Sequence, residues 1–326
     1  MSMKELSMDR ICRQSYNERD LYTIRGKGMT LQQLKYLVTV AECGSISEAA
    51  QKLFISQPSL SAAIQNLEKE MGVTAFSRSS KGVVITREGE ELLAYSRMLL
   101  EQADIMQEHF GKDKNRTPKF SVSCQHYSFA VNAFVDLVKQ YDASQYNFIL
   151  RETQTGEIID DVAQGKSEVG ILYLSAHNEE VLTKLMRKNG LVFEELFVAE
   201  PHVFICREHP LANKKEITLD DLQPYPYLVY EQGERNSFYF AEEFLSMLDF
   251  PKNIQVRDRA TLFNLVIGLN GFTVCSGVID QKLNGENIIA KPLVSDCDMR
   301  IGMIRMKNTM LSRYALYYQE AIKNYL

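Results

Sequence analysis

The sequence predicts an α+β multidomain protein: a winged helix-turn-helix, a long linker helix, and then a two-lobed α/β segment. Three observations carry this prediction. Helix-capping signals recur at short spacing between residues 30 and 60, an unbroken helical run fills residues 90–110, and beyond residue 118 extended apolar runs alternate with helical ones. The 326 residues leave room for about two domains at about 150 residues each. A composition of 45% hydrophobic and 24% charged residues excludes a disordered or collagen-like chain.

The first 28 residues mix acidic and basic side chains and lack an apolar core of signal-peptide length, so they are expected to form a flexible N-terminal extension. From Met29 onward, Thr30-Leu-Gln-Gln33 is a capping box that opens a helix with Leu34, Leu37, Val38 and Ala41 on one face, and Gly44 ends it. Ser45-Ile-Ser-Glu48 opens a second, shorter helix through Ala49, Ala50 and Leu53. Ser56 then caps a third with Pro58 in its first turn and Leu60, Ile64, Leu67 and Met71 as its buried stripe. Two short helices, a tight turn and a longer helix have the spacing of a helix-turn-helix, whose second element enters the DNA major groove.

On the outward face of that third helix lie Gln57, Ser61 and Gln65, with Ala62 beside them. Gln can pair bidentately with adenine, Ser can reach base or phosphate, and Ala can meet a thymine methyl. Ser56, Pro58 and Ser59 form the helix start, where hydroxyls and free N–H groups suit a phosphate. Residues 76–85 read as two short strands around a turn, a wing with Arg78, Lys81 and Arg87 as the cations available for backbone or minor-groove contact. Periodicity alone fits a three-helix packing unit with a polar solvent face as well. Residues 29–88 are read as the DNA-binding domain.

Charge argues against strong non-specific DNA binding. The whole chain carries a net charge of -5, and residues 29–110 hold seven Lys/Arg against ten Asp/Glu. The presumed DNA face, residues 56–65, holds no carboxylate, so affinity would need two copies. The run from Glu90 to Phe110, bracketed by Gly89 and Gly111, supplies a reason for pairing. Leu92, Leu99 and Met106, alternating with Ser96, Ala103 and Phe110, make a heptad-like seam on a helix about 30 Å long. Residues 89–111 are read as a linker and dimerisation helix with Leu92, Leu99, Ala103 and Met106 in the contact. Packing of that stripe on its own chain is the alternative.

The assembled pattern, Leu34-Lys-Tyr-Leu37, Ser47-Glu-Ala-Ala50, Ser56-Gln-Pro-Ser-Leu60, Ile64, Leu67-Glu68, Gly72, Phe76-Ser-Arg78 and Ile85-Thr86, resembles the N-terminal signature of the LysR-type transcriptional regulators. It departs at Ala75, where the family more often has Leu, and at Glu88, where it more often has a small residue. The resemblance implies a sequence-specific regulator in the cytoplasm, a homodimer or homotetramer on double-stranded DNA, with RNA polymerase as a further partner. A small-molecule effector of unknown identity would modulate DNA binding or bending. The resemblance also implies that the C-terminal half is a periplasmic-binding-protein-like effector domain, two α/β lobes with the ligand between them.

The residues after 111 agree. Strands at 120–124, 148–152 and 169–174 alternate with helices at 129–141 and 158–164. A second series then runs through an extended stretch at 196–206, a strand at 227–230, a helix near 238–248, a strand at 254–257, a helix from Thr261 and a strand at 272–275. Residues 299–306 would return the chain to the first half before a last helix at 311–325. Residues 119–195 with 300–326 are therefore read as lobe I and 196–299 as lobe II. The cleft of such folds lies at the carboxyl ends of strands, which picks out Gln125, His126, Tyr127, Thr153, Thr155, Tyr230, Glu231, Asn236 and Ser237 for the effector. Capping of the next helix is the other use for any of them.

The six cysteines show no C-x-x-C pair, so reduced thiols are expected and no structural metal or cofactor. Residues 260–279 carry no charge, yet glycines and asparagines interrupt them, and a helix followed by a strand is expected there rather than a membrane span. No nucleophile elbow, zinc-protease or phosphate-loop motif occurs, and the protein is not expected to be an enzyme. Two other classes stay open at this stage. One is a ligand-binding protein whose N-terminal helices serve protein contact; the other is an enzyme using Cys124 with His126 as its base.

Overall fold

The computed structural model describes residues 28–79, 82–111, 117–141, 145–235, 237–278, 286–295 and 298–325. The expected N-terminal extension, apart from Gly28, and the expected DNA contact Lys81 lie outside the described residues, as does the expected effector contact Asn236. The chain forms two compact units that divide after Ser96.

The N-terminal unit begins with α1 (Leu31–Cys43), α2 (Ile46–Lys52) and α3 (Gln57–Met71). The Thr30 capping box is complete, and Gly44 closes α1 in the left-handed conformation at φ 63°. At α2 only half of the expected box forms, the Ser45 hydroxyl accepting from the Glu48 N–H at 3.3 Å. Leu34, Leu37, Val40, Ala49, Leu60 and Leu67 close the three-helix core at 3% exposure or less. Met71, expected in that stripe, is 36% exposed because it occupies the last position of α3, beyond the reach of α1 and α2.

Strands β1 (Phe76–Ser79) and β2 (Gly82–Ile85) form the expected antiparallel wing. Glu68 of α3 ties its base by accepting from the N–H groups of Ala75 (2.7 Å) and Phe76 (3.1 Å). Helix α4 (Arg87–Phe110) starts earlier than expected, so Gly89 does not bracket it but sits in its first turn. The reason is contact: a Cβ on Gly89 would lie 2.1 Å from the Ala75 carbonyl oxygen, so only glycine lets α4 press against the wing.

In the C-terminal unit a five-stranded sheet has the order β4 (Asn147–Glu152), β3 (Lys119–Cys124), β5 (Val169–Leu174), β12 (Met299–Met306) and β6 (Leu191–Ala199). Strands β3, β4 and β5 run parallel, and β12 runs antiparallel to β5 and β6. Helices α5 (Ser128–Gln140) and α10 (Arg313–Lys323) pack with Phe120, Ile171 and Met303 on one face. Helices α6 (Thr155–Ala163) and α7 (Glu179–Lys188) pack with Leu172 and Leu174 on the other. Every residue of β5 is buried, as expected of a strand covered on both faces.

The second lobe combines an antiparallel sheet of β10 (Thr273–Cys275), β7 (His202–Cys206) and β11 (Ile288–Pro292) with a parallel pair, β8 (Tyr227–Tyr230) and β9 (Asn253–Val256). A short helix α8 (Leu219–Leu222) and α9 (Arg259–Leu269) complete it. Residues 260–279 thus hold a helix and a strand, and no helix among the described residues is long and apolar enough to cross a membrane.

Three expectations need correction. The extended stretch at 196–206 is two strands broken at Glu200–Pro201, and residues 196–199 pair with β12 in the first lobe's sheet rather than in the second lobe. Helix α7 and the start of β6 are additional to the expected elements. Residues 238–248 form successive turns, not a helix, and they bring two adjacent glutamates inward.

Candidate functional site

The N-terminal unit presents α3 by its first turns. Ser56 caps the helix by accepting from the Ser59 N–H (3.2 Å), and its hydroxyl also lies 2.7 Å from that of Ser59. Ser56, Gln57, Pro58, Ser59, Ala62 and Gln65 are exposed. Ser61 is half-buried and accepts from the Gln57 amide at 3.0 Å, which holds that side chain along the helix. Lys52, in the last turn of α2, pairs with Glu42 at 3.2 Å. Arg78 lies in β1, opposite Val83.

Along α4, Leu99 (42%), Met106 (57%) and Phe110 (79%) are exposed, and Leu92 and Ala103 are half-buried. Tyr95, 55% exposed and not anticipated, joins them within one arc of the helix. Ser96 differs from the expected seam: it is buried, and its hydroxyl donates back to the Leu92 carbonyl at 2.7 Å. The other side of α4 carries Glu101, whose carboxyl is pushed up to about 8 by burial and by the nearby Glu168 and Asp104.

Between the two lobes of the C-terminal unit the end of β3 meets the turns at 242–243. The His126 N–H donates to Glu242 (2.9 Å), and the ring Nδ1 sits 2.9 Å from the same carboxylate oxygen. The imidazole stacks on the Tyr230 ring, centroids 3.8 Å apart and planes 7° from parallel. The Tyr230 N–H donates to Glu243 Oε1 at 2.8 Å. Further contacts hold the lobes: the Thr155 N–H donates to Gln232 (3.1 Å), and Arg235 donates to the Gly156 carbonyl (3.0 Å) and pairs with Asp160 (2.9 Å). Arg259, at the start of α9, pairs with Glu152 and donates to the Ser128 hydroxyl. A Cβ on Gly156 would lie 2.8 Å from Arg235 Cδ, so glycine permits the approach.

These contacts enclose a cavity of about 30 Å³ bordered by His126, Tyr127, Tyr230, Glu242, Glu243 and Ser276, among others. Of the expected effector residues, His126, Tyr127 and Tyr230 are at this cavity. Gln125 is fully buried beneath it: it donates to the Thr155 hydroxyl (2.6 Å) and accepts from the Tyr127 hydroxyl (2.9 Å) and the Tyr173 N–H (3.0 Å). Thr153 bonds Glu157, Glu231 pairs with Arg257, and Ser237 is exposed beside the Arg235 carbonyl.

Glu242 and Glu243 are not among the residues that the sequence singles out, because a helix is expected over 238–248. A signal against that helix is present: Phe238-Tyr-Phe-Ala-Glu-Glu-Phe-Leu places aromatic residues on both sides of the acidic pair, so no amphipathic face can be drawn through it. The Glu243 carboxyl is held well above the usual carboxylate range by burial and by Glu242 beside it. Cys124 and His126 do not form a nucleophile and base. Burial pushes the Cys124 thiol up to about 12, and the imidazole is turned toward Glu242. Among the described residues no group of three or more His, Cys, Asp or Glu side chains is arranged to hold a metal ion.

The comparisons with known proteins agree with both units. Residues 31–90 match the model of the bacterial regulatory helix-turn-helix protein, lysR family, and residues 124–324 match that of the LysR substrate binding domain. The HTH-type transcriptional regulator YnfL of Escherichia coli K12 is 31% identical over 64% of this chain and 68% of its own length. A full-length OxyR variant from Pseudomonas aeruginosa has a similar fold, with a TM-score of 0.64 at 21% identity over 91% of this chain and 96% of its own. CbnR in complex with its target DNA aligns with a TM-score of 0.55 at 18% identity, over 91% of this chain and 100% of its own. With the helix-turn-helix at its N-terminus and the substrate binding domain across most of the remainder, the chain belongs to the LysR family of bacterial DNA-binding transcriptional regulators.

Proposed function

We propose that this protein is a cytoplasmic homo-oligomeric regulator, not an enzyme, that reads its operator with the first turns of α3 and responds to a small molecule bound between its lobes. The observation that carries the DNA part is the α3 face itself. Its hydroxyls, amides and methyl group stand outward with no carboxylate among them, although the chain as a whole is acidic. In this reading residues 29–88 bind double-stranded DNA, Ser56 and Ser59 meet phosphate, and Gln57, Ser61, Ala62 and Gln65 face the bases. Pro58 fixes the helix start, and Arg78 and Lys81 serve the wing.

Residues 89–111 pair two copies through Leu92, Leu99, Ala103 and Met106, an arrangement supported by the exposed apolar arc of α4. CbnR, bound to target DNA in its own structure, has the same overall fold. Four chains as two dimers, and contact with RNA polymerase, belong to the same reading.

The expected bounds, 119–195 with 300–326 for effector lobe I and 196–299 for lobe II, are shifted so that residues 196–199 and Met299, which pair in the first lobe's sheet, fall with lobe I and the crossing falls at Glu200–Pro201. The cleft between them takes the effector, with His126, Tyr127 and Tyr230 at the cavity. Gln125, Thr153, Thr155, Glu231 and Ser237 belong to the same proposed site, together with Asn236, which lies outside the described residues. An effector that favours one degree of lobe closure shifts the population of the conformation that binds or bends DNA.

The test is a salt-series titration of the purified full chain against the DNA just upstream of its own reading frame. A tight, selective complex that weakens as salt rises is expected. Binding no tighter than to random DNA would overturn the proposal.

A further inference from the structure

We propose that the cavity between the lobes binds a positively charged N–H donor, an ammonium group, held by the carboxylates of Glu243 and Glu242. This rests on the reading of the cleft as the effector site and names the chemical class of its ligand.

Glu243 is 2% exposed, yet only one of its oxygens is used: Oε1 accepts from the Tyr230 N–H, and Oε2 has no hydrogen-bond partner. A buried carboxylate oxygen without a donor is costly, and a charged donor repays it best. His126 lies on Glu242, Arg257 pairs with Glu231, and Arg259 pairs with Glu152 and reaches Ser128, so none of these side chains is placed on Glu243 Oε2. Burial and Glu242 beside it hold the Glu243 carboxyl above the usual carboxylate range, and a cationic N–H donor at Oε2 would favour its ionised form. Burial raises the hydroxyls of Tyr127 and Tyr230, with Glu242 and Glu243 adding to that rise, and it raises the thiol of Cys275, with Glu243 adding.

The walls suit the rest of such a ligand. Phe204, Leu262 and Phe263 border the same cavity, and the stacked pair of His126 and Tyr230 presents aromatic surface to it. A volume of about 30 Å³ takes the ammonium head, and an organic substituent on it would enter along the apolar wall only as the two lobes part. A carboxylate ligand, by contrast, would meet the side chains of Glu242 and Glu243 at this cavity.

Glu243 also borders a second cavity of about 120 Å³ inside the second lobe, alongside Ser246. Two conservative variants separate the two places. Ser276→Thr adds a methyl group to the inter-lobe cavity alone, and Ser246→Thr adds one to the other.

The experiment is thermal unfolding and calorimetric titration of the full chain with ammonium, methylammonium and n-butylammonium chloride. Controls at equal ionic strength are sodium, tetramethylammonium and acetate salts. Saturable stabilisation by the N–H cations and not by sodium or tetramethylammonium is expected. Tighter binding of butylammonium than of ammonium would mark an organic amine as the source, and the reverse would mark the free ion.

Glu243→Gln keeps the acceptor for Tyr230 and should weaken binding by about tenfold or more, the loss of one charge-assisted hydrogen bond. Ser276→Thr should weaken it as well and Ser246→Thr should not, so the pair decides the matter even where Glu243→Gln fails to fold. No saturable response, an unchanged response in Glu243→Gln, loss only in Ser246→Thr, or a response to acetate alone would each overturn the proposal. The DNA titration of the same preparation keeps the two readings apart. Selective DNA binding without an amine response removes only the ammonium site, and amine binding without DNA selectivity removes only the regulator.

Discussion

Replacing Glu101 with Gln should stabilise the protein above pH 8 and do little below pH 5. Glu101 on α4 and Glu168 at the start of β5 face one another, with Asp104 near the first and Glu108 near the second. The cations of the area are taken: Lys119 pairs with Asp104 at 3.5 Å and Arg313 with Glu108 at 3.9 Å. Glu168 is partly compensated, accepting from the Ser312 N–H (2.6 Å) and hydroxyl (2.8 Å), and its carboxyl is pushed up to about 7, against about 8 for Glu101.

Both values lie above the ordinary 4.5, so the folded chain holds these protons more tightly than the unfolded one. The pair is therefore least costly below pH 4.5. Stability falls as pH rises from there through about 8, and the penalty is constant beyond. For Glu101 alone, the interval from 4.5 to about 8 corresponds to about 5 kcal/mol. Local relaxation and water entry reduce that upper value, so a gain of about 2 kcal/mol for Glu101→Gln at pH 9 is the working figure. Urea unfolding of both proteins at pH 5, 7 and 9 measures it. A difference that does not grow with pH would refute the argument from burial.

Three further outcomes test the remaining assignments. Gln57→Ala should weaken the cognate operator by about 1 to 3 kcal/mol and leave random DNA almost untouched in parallel titrations; an equal loss on both would remove base reading by that side chain. Leu99→Lys puts a charge into the exposed arc of α4, and since Leu99 is 42% exposed within one chain, the monomer should keep its fold while sedimentation shows the assembly dissociating. An intact oligomer would show that the seam lies elsewhere. Gly89→Ala would gain about 1 kcal/mol in an ordinary helix interior, but here the new Cβ meets the Ala75 carbonyl at 2.1 Å, and thermal unfolding should show a net loss.

What the sequence reveals and what it hides follow from how local each determinant is. The helices of the N-terminal unit are legible because Thr30, Ser45 and Ser56 cap them with side chains, Gly44 and Gly72 end two of them in the left-handed conformation, and the apolar spacing agrees. The strands of the first lobe are legible because a doubly covered strand such as β5 must be apolar throughout. Helix α7 lacks a side-chain cap at Asn178 to mark its start, although Leu182, Leu185 and Met186 line one face of it.

The inter-lobe site is half legible for a different reason. A residue after a strand can be named from the chain order, which is why His126 and Tyr230 stand out. Their partners sit where tertiary contacts override the local pattern: the turns at 242–243 exist because Glu242 finds the His126 N–H and Glu243 finds that of Tyr230. Had those residues been helical, adjacent side chains would diverge by about 100° and could not both point into one cavity. The irregular backbone is thus what converts two neighbouring glutamates into a single acidic wall, and the class of ligand follows from the backbone as much as from the residues.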